Sequence, residues 1–331
     1  MTYRITIEGG DRFDVSADEE NLLRGALRAG VGFPYDCNVG GCGGCRFDLV
    51  SGEMETLWPD APGLSERERR RGKRLACQSR PRGDCVIRLR PSDEHRPPVP
   101  TRRLQAVLAS RREIAPGMGE FIFRTEAPAA FLPGQYAVFH PPGAVGPRAF
   151  SMSNLPNEAG EWRFVIRRTP GGAGSNAMFD RLEPGAATAL DAPYGHAFFR
   201  ADSQREVICV AGGSGVGPVV SIALAALAQG RKIRVFEGAR SQRDLCFPSL
   251  VGAAECAALS YAPVLSAEPK ESRWGGARGF VHEEVERSLA GAPDSRDYYF
   301  AGPPPMIDAM QDLLVMRWKA PLGQIHTDKF F

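Results

Sequence analysis

Apolar and polar residues alternate from the start of the chain. Positions 3–8 and 12–15 read as two strands of a hairpin around Gly9-Gly10-Asp11. From Leu22 to Leu27 the apolar residues take helical spacing, and Gly30 stops the run. Arg46 to Val50 returns to strand character, with a turn at Ser51-Gly52-Glu53. Leu64 to Arg71 reads as a charged helix and Val86 to Leu89 as an edge strand. Beyond a proline-rich stretch, short strands are expected at 103–110, 119–125, 135–140, 147–152 and 162–168, separated by Gly/Pro turns such as Leu132-Pro133-Gly134-Gln135. One helix, about Ser175 to Leu182, interrupts them. From Glu206 the pattern changes. Val207-Ile208-Cys209-Val210 is a continuous apolar run, as in a strand buried on both faces. Strand and helix then alternate to Tyr298-Tyr299-Phe300-Ala301 and beyond.

These patterns divide the chain. Its 331 residues suit two or three domains. The first, 1–92, mixes strands with one or two helices. Residues 93–102 form a linker, because Pro91 to Pro100 holds four prolines among mixed charges and composes a semi-rigid spacer. Residues 103–203, with short strands at regular spacing, predict a small antiparallel barrel. Residues 204–331 predict a βαβ domain with a parallel sheet. The fold class is multidomain, α+β followed by α/β, and no internal repeat is present.

Composition is that of an ordinary soluble globular chain. A net charge of +2 gives no global case for nucleic-acid binding. No stretch approaches the roughly 20 apolar residues that span a bilayer. Met1-Thr2-Tyr3-Arg4-Ile5-Thr6 has no apolar signal region, so a cytoplasmic location is expected. In that compartment eight cysteines argue for ligands and free thiols rather than disulfides. Cys85, Cys209, Cys246 and Cys256 share no spacing and are expected to be buried small hydrophobes.

The other four carry chemistry. Cys37, Cys42 and Cys45 are spaced Cys-x4-Cys-x2-Cys with four glycines among them, and Cys77 follows downstream. This is the plant-type ligand pattern of a [2Fe–2S] cluster. Glycines let a loop wrap tightly and aim N–H groups at negative sulfurs. A zinc site or a disulfide framework is the bland alternative. Zinc sites usually pair two separated Cys-x-x-Cys knuckles, whereas Cys77 stands alone. A Rieske centre needs two histidine ligands, and no histidine precedes His95. About ninety residues around such a cluster suit a β-grasp ferredoxin domain. The basic run 67–74 lies near the fourth cysteine; it could steer an acidic redox partner, but a solvated helix face balanced by Glu66 and Glu68 explains it better.

Weaker motifs follow. Gly212-Gly213-Ser214-Gly215-Val216-Gly217 lies between a strand and a helix, where free N–H groups suit a pyrophosphate. Its spacing is not G-x-G-x-x-G, and a tight structural turn is the alternative. Arg148-Ala149-Phe150-Ser151 on a barrel strand offers a guanidinium for a phosphate, a ring for a flat cofactor and a hydroxyl for its edge. Gly171-Gly172-Ala173-Gly174-Ser175 opens the barrel's helix as a possible anion nest. Gly302-Pro303-Pro304 ends a late parallel strand, where ligands of open α/β sheets bind. Singly, each also fits an ordinary strand or turn.

In this order, the four motifs resemble the NADH-dependent iron–sulfur flavoprotein reductases of bacterial aromatic-ring oxygenases, with a ferredoxin–NADP reductase-like flavin module. The resemblance covers nearly the whole chain. Phe33-Pro34-Tyr35, the stretch Leu57 to Leu64 and the end Ile325 to Phe331 look most like reductases of toluene monooxygenase and carbazole dioxygenase systems. It implies a β-grasp [2Fe–2S] ferredoxin domain, a β-barrel FAD domain and a C-terminal Rossmann-like NAD domain. It also implies cluster ligands Cys37, Cys42, Cys45 and Cys77. By the same resemblance, Arg148 would pair with the FAD pyrophosphate, Phe150 would pack on the flavin, and Ser151 would bond near its reactive nitrogen. Gly172, Gly174 and Ser175 would hold the diphosphate. Gly213, Ser214, Gly215 and Gly217 would line the NADH site, Gly302 and Pro303 would lie near the nicotinamide, and Phe331 would cover the flavin ring. FMN is less expected, since its relatives usually carry the cluster domain at the C-terminus.

Many relatives have tyrosine where Phe150 stands, cysteine where Ala301 stands and Gly-Pro-Tyr-Gly where Asp191-Ala192-Pro193-Tyr194-Gly195 stands. None of these changes removes a cofactor anchor. The implied function is an NADH:acceptor reductase serving a Rieske-type ferredoxin or an oxygenase or hydroxylase component. No acid, base or nucleophile is needed, and the five histidines are expected to be structural. Glu237 ends the second strand of the last domain, where a carboxylate could favour a free ribose 2′-OH. Arg240, Ser241 and Arg243 follow and could take a 2′-phosphate. A non-enzymatic iron–sulfur sensor with degenerate nucleotide domains is the competing class.

Overall fold

The computed structural model describes residues 1–252, 257–289, 291 and 293–330. Cys256 and Phe331 lie outside the described residues. The chain divides into two compact units. The first comprises Met1–Arg103 with Asp191–His196, and the second Leu104–Leu190 with Ala197–Phe331.

In the first unit, five strands form a sheet in the spatial order Arg12–Ser16, Thr2–Ile7, Cys85–Arg88, Arg46–Ser51, Lys73–Leu75. Thr2–Ile7 pairs parallel with Cys85–Arg88 and antiparallel with Arg12–Ser16. The helix Leu22–Arg28 covers the sheet. Asn21 caps it, its side chain accepting from the Arg24 N–H at 2.9 Å, which satisfies one orphan donor of the first turn. Ile5, Ile7, Val15, Leu23, Leu27, Phe33, Phe47 and Ile87 form the core. Ser65 and Glu68 build a capping box on Glu66–Arg70, a helix with no buried residue. Within this unit Arg28 reaches both Glu19 (2.6 Å) and Asp191 (2.7 Å), and the Gly195 N–H donates to the Tyr35 hydroxyl at 3.0 Å.

The second unit holds two sheets. One has six strands in the order Arg148–Ser151, Tyr136–Phe139, Ala187–Tyr194, Arg102–Ala115, Met118–Arg124, Glu161–Arg167. A Met152–Phe164 bridge joins its two ends and closes the barrel. Phe123, Phe139 and Phe164 meet inside it, with ring centroids 4.9–5.9 Å apart. Ala187–Tyr194 carries no alternation and is rich in alanine, so its pattern does not announce a strand; the barrel needs it to bridge Tyr136–Phe139 and Arg102–Ala115.

The other sheet is parallel throughout, in the order Ala277–Arg278, Leu259–Leu265, Ile233–Ala239, Glu206–Gly212, Arg296–Gly302, Ile325–Lys329. The apolar run 207–210 lies at its centre and is buried on both faces, as its composition demands. The helix Val216–Ala228 follows that strand, and Pro218 falls in its first turn, where the missing N–H costs nothing.

His326 sits in this core, 7% exposed, stacked on Tyr299 at 4.6 Å. Burial, with nearby Arg200, depresses its pKa from 6.5 to about 4. A folded pKa below the unfolded one means that stability is full above pH 6.5 and is lost as pH falls towards 4. The shift corresponds to about 3 kcal/mol. His326→Phe, which keeps the stack, is expected to flatten the fall of the thermal midpoint over that window; parallel pH profiles for the two proteins would contradict this.

Candidate functional site: a four-sulfur loop and a two-nucleotide cleft

The four cysteines come together in the first unit, and their sulfurs fall into two pairs. Cys45 and Cys77 Sγ are 3.3 Å apart. Cys37 and Cys42 each direct a backbone N–H at the other's sulfur, at 3.4 and 3.3 Å, and the Gly44 N–H adds a second donor to Cys42. Among the described residues, no group of three or more ligands converges on one ion position. Two pairs suit two irons with two thiolates each, and they do not suit one tetrahedral zinc.

Crowding shifts the thiols in opposite directions. Neighbouring sulfur and burial push the Cys42 and Cys77 thiols well up, while hydrogen bonds from the Cys42 side chain bring Cys37 down to about 7. Thiols this crowded do not all ionise unless a metal supplies positive charge. The loop 57–64 straps this site. The Gly63 N–H donates to the Gly40 carbonyl at 2.9 Å, and the Arg46 guanidinium donates to the Gly63 carbonyl at 3.0 Å.

The second unit brings the flavin-side and nicotinamide-side motifs together. Arg148 begins a barrel strand, and its side chain lies over the start of the helix Ala173–Asp180. A Cβ on Gly174 would overlap Arg148 Nε and its methylenes, so only glycine leaves the guanidinium this path. Ser175 Oγ accepts from the Thr169 N–H at 3.2 Å, folding the 169–175 loop beneath Gly172. Phe150 is half-buried beside Phe139, with ring centroids 5.9 Å apart. Ser151 Oγ donates to the Asp328 carboxylate at 2.8 Å.

The glycine turn meets the same strands. A Cβ on Gly217 would stand 3.6 Å from the Ser151 carbonyl and 3.5 Å from Val165. Gly213 and Ser214 are partly exposed, and Gly215 lies against the Ala301 carbonyl. Gly302 follows Ala301, Pro303 packs on Gly212, and the Phe330 N–H donates to the Gly302 carbonyl at 3.0 Å. Ser151, Gly217, Gly302 and Asp328 thus gather at the carboxyl ends of the parallel strands, where nucleotides bind in open α/β sheets.

Glu237 departs from its expected role. Its carboxylate is 2% exposed and accepts from the Cys246 N–H (3.0 Å), the Phe247 N–H (3.3 Å) and the Tyr261 hydroxyl. It closes the amino end of Phe247–Val251 and faces inward, so no acceptor is left for a ribose. Arg240 and Arg243 are exposed.

Sequence reading also missed two residues. Asp328 orients Ser151 from 177 positions away. Arg167 ends a barrel strand with its guanidinium at the glycine turn, 3.0 Å from where a Gly213 Cβ would stand. Arg167 has no motif around it; its only signal is a basic pair, Arg167-Arg168, closing a strand.

The packing at Gly174 yields a test. Gly174→Ala is expected to leave the fold intact, because Arg148 is flexible enough to move, and to weaken FAD retention about tenfold or more through the lost charge-assisted bond. Gel-filtered protein scored for bound flavin by absorbance reads this out; unchanged retention would contradict it.

Comparisons with known proteins identify the domains. Residues 5–82 match the 2Fe-2S iron-sulfur cluster binding domain, 105–199 the oxidoreductase FAD-binding domain and 209–312 the oxidoreductase NAD-binding domain. The chain is 37% identical to the ferredoxin–NAD(P)(+) reductase CarAd of Metapseudomonas resinovorans, covering 99% of this chain and 100% of that one. It is 36% identical to the ferredoxin–NAD(+) reductase component of the alkene monooxygenase system of Xanthobacter autotrophicus, covering 98% and 99%. The solved ferredoxin reductase in carbazole 1,9a-dioxygenase superposes with a TM-score of 0.92 at 34% identity, covering 100% and 99%. The chain therefore belongs to the [2Fe–2S]- and FAD-containing ferredoxin–NAD(P) reductases that serve as electron-transfer components of oxygenase systems, and it is an oxidoreductase with cluster, flavin and nicotinamide cofactors.

Proposed function

We propose that this enzyme takes hydride from NADH and delivers single electrons to the ferredoxin, Rieske-type or otherwise, or to the oxygenase or hydroxylase component of a system that hydroxylates aromatic hydrocarbons, in the cytoplasm. The observation that carries the proposal is that one chain holds both a two-paired thiol site and the meeting of Ser151, Asp328 and the glycine turn at the ends of the parallel strands. Relatives named for phenol and for xylene/toluene monooxygenation favour an aromatic system, and full-length similarity to reductases weighs against a non-enzymatic sensor. The working division is 1–92 for the cluster, 93–102 as linker, 103–203 for FAD and 204–331 for NAD.

When bound, the flavin accepts two electrons together and releases them singly, chemistry that belongs to the cofactor. The chain's own residues bind and orient. Cys37 and Cys42 hold one iron, Cys45 and Cys77 the other. Arg148 pairs with the FAD pyrophosphate, and Gly172, Gly174 and Ser175 seat the diphosphate where helix N–H groups are free. Phe150 supplies a flat apolar face. Ser151, held by Asp328, presents its oxygen to the flavin edge, and the Asp328 carboxylate fixes which way the hydroxyl proton points. Gly213, Ser214, Gly215 and Gly217 receive the NADH pyrophosphate with Arg167 beside them. Gly302 and Pro303 would border the nicotinamide, and the role of covering the flavin ring would fall to Phe331, which lies outside the described residues. Arg240 and Arg243 remain available to the adenosine end, while Glu237 serves the fold.

Steady-state NADH oxidation with ferricyanide tests the reading, and flavin-loaded protein that shows none would overturn it. Cys45→Ser is expected to abolish the cluster's visible and EPR signals and to leave the ferricyanide rate essentially unchanged. Loss of that rate with FAD retained would contradict independent flavin function. Charge reversal at exposed Arg67 or Arg71 is expected to leave reduction of the protein acceptor and reduction of the flavin by NADH both unchanged, as for a solvated helix face; slower acceptor reduction with flavin reduction unaltered would show instead that the run 67–74 steers the partner.

A further inference from the structure

Gln78 follows the fourth cysteine and ends the short turn Ala76–Gln78. It is buried, at 6% exposure. Its backbone is anchored on both sides: the Leu57 N–H donates to its carbonyl at 2.9 Å, and the next residues, Ser79–Pro81, pair with Met54–Thr56. Its amide Nε2 lies 3.8 Å from Cys77 Sγ. The same amide packs on the cluster loop, since a Cβ on Gly40 would stand 3.2 Å from Nε2 and 3.2 Å from the Trp58 ring. Gln78 and Trp58 therefore share the glycine face of the loop.

The backbone N–H bonds to sulfur described above run to Cys37 and Cys42. At the Cys45–Cys77 pair the donor is a side chain, the Gln78 amide. Thiolate charge selects its orientation: the amide oxygen facing a thiolate would set two negative ends together, whereas the NH2 group donates. Hydrogen bonds to cluster sulfurs are one of the main determinants of reduction potential. A donor stabilises the reduced cluster more than the oxidised one, because the reduced form carries one more negative charge and charge-assisted bonds are the stronger ones.

We infer that Gln78 is a positioning and tuning residue of the cluster, its Nε2–H donating to Cys77 Sγ and raising the cluster's reduction potential, so that the electron leaving the flavin is drawn onto the cluster. The inference rests on Cys77 being the fourth ligand, as proposed above.

Gln78 is the sole glutamine among residues 1–103, which permits a direct test on the full-length holoenzyme. Protein made with glutamine labelled with 15N at the side-chain amide is reduced, and its cluster is examined by two-dimensional electron spin echo spectroscopy. A 15N coupling is expected in the labelled wild type and not in labelled Gln78→Met, a variant of similar length without a donor. An EPR-monitored redox titration of Gln78→Met is expected to shift the one-electron equilibrium about tenfold towards the oxidised cluster, a fall of about 59 mV, with flavin reduction by NADH unaltered.

A wild-type cluster lacking the 15N coupling would overturn the inference while leaving the ligand set intact. So would a Gln78→Met cluster at wild-type potential. Should Gln78→Met fail to hold its cluster, the wild-type coupling decides alone. Absence of any [2Fe–2S] signal from wild type would overturn the ligand reading and the inference with it.

Discussion

Four thiols packed into two close pairs form the constraint on which the cluster unit depends. Left as thiolates they would repel, and left as thiols they would pack sulfur against sulfur beside N–H groups that point at them. Positive charge from two irons resolves both problems, and structure nearby is arranged to keep the pairs apart yet covered. The 57–64 strap is tied to the loop through Gly40 and Arg46. Arg46 also pairs with Glu68 at 2.9 Å, which links the strap to the charged helix that follows it. Strap, helix and cluster loop thus hold one another, although the helix itself buries nothing.

The nucleotide unit solves a different problem. It has to bring strands, helices and one guanidinium close together, and it uses glycine where they approach. Gly174 leaves space for Arg148, Gly215 for the Ala301 carbonyl, and Gly217 for the strand that carries Ser151. Only a few polar side chains are committed to the cleft. The Ser151–Asp328 bond ties the barrel to the last strand of the parallel sheet, so the Ser151 hydroxyl is oriented by the element nearest the chain's end. No side chain in this arrangement has to act as a nucleophile, which accords with chemistry carried by cofactors.

Much of this was legible in the sequence, and the remainder was not for identifiable reasons. Cysteine spacing is local, so Cys37 to Cys45 announced its chemistry. The change from strands separated by Gly/Pro turns to the continuous apolar run Val207–Val210 announced the change from barrel to parallel sheet. By contrast, Asp328 and Arg167 acquire meaning only from partners far away in the chain. Glu237 looked like a strand-end acid open to a ribose 2′-OH, but the amino end of Phe247–Val251 and the Tyr261 hydroxyl enclose it, and neither could be placed from spacing alone. Ala187–Tyr194 lacks the β-branched alternation of a strand and is one because the barrel supplies partners on both sides.

The central claim is that one chain receives electrons in pairs and dispenses them singly through two linked centres. Anaerobic titration with NADH, followed by flavin absorbance and cluster EPR on the same sample, tests it most directly. The account predicts that both signals change and that uptake ends at three electrons per chain, two on the flavin and one on the cluster. Uptake that stops at two, with the cluster still oxidised and flavin fully bleached, would contradict it.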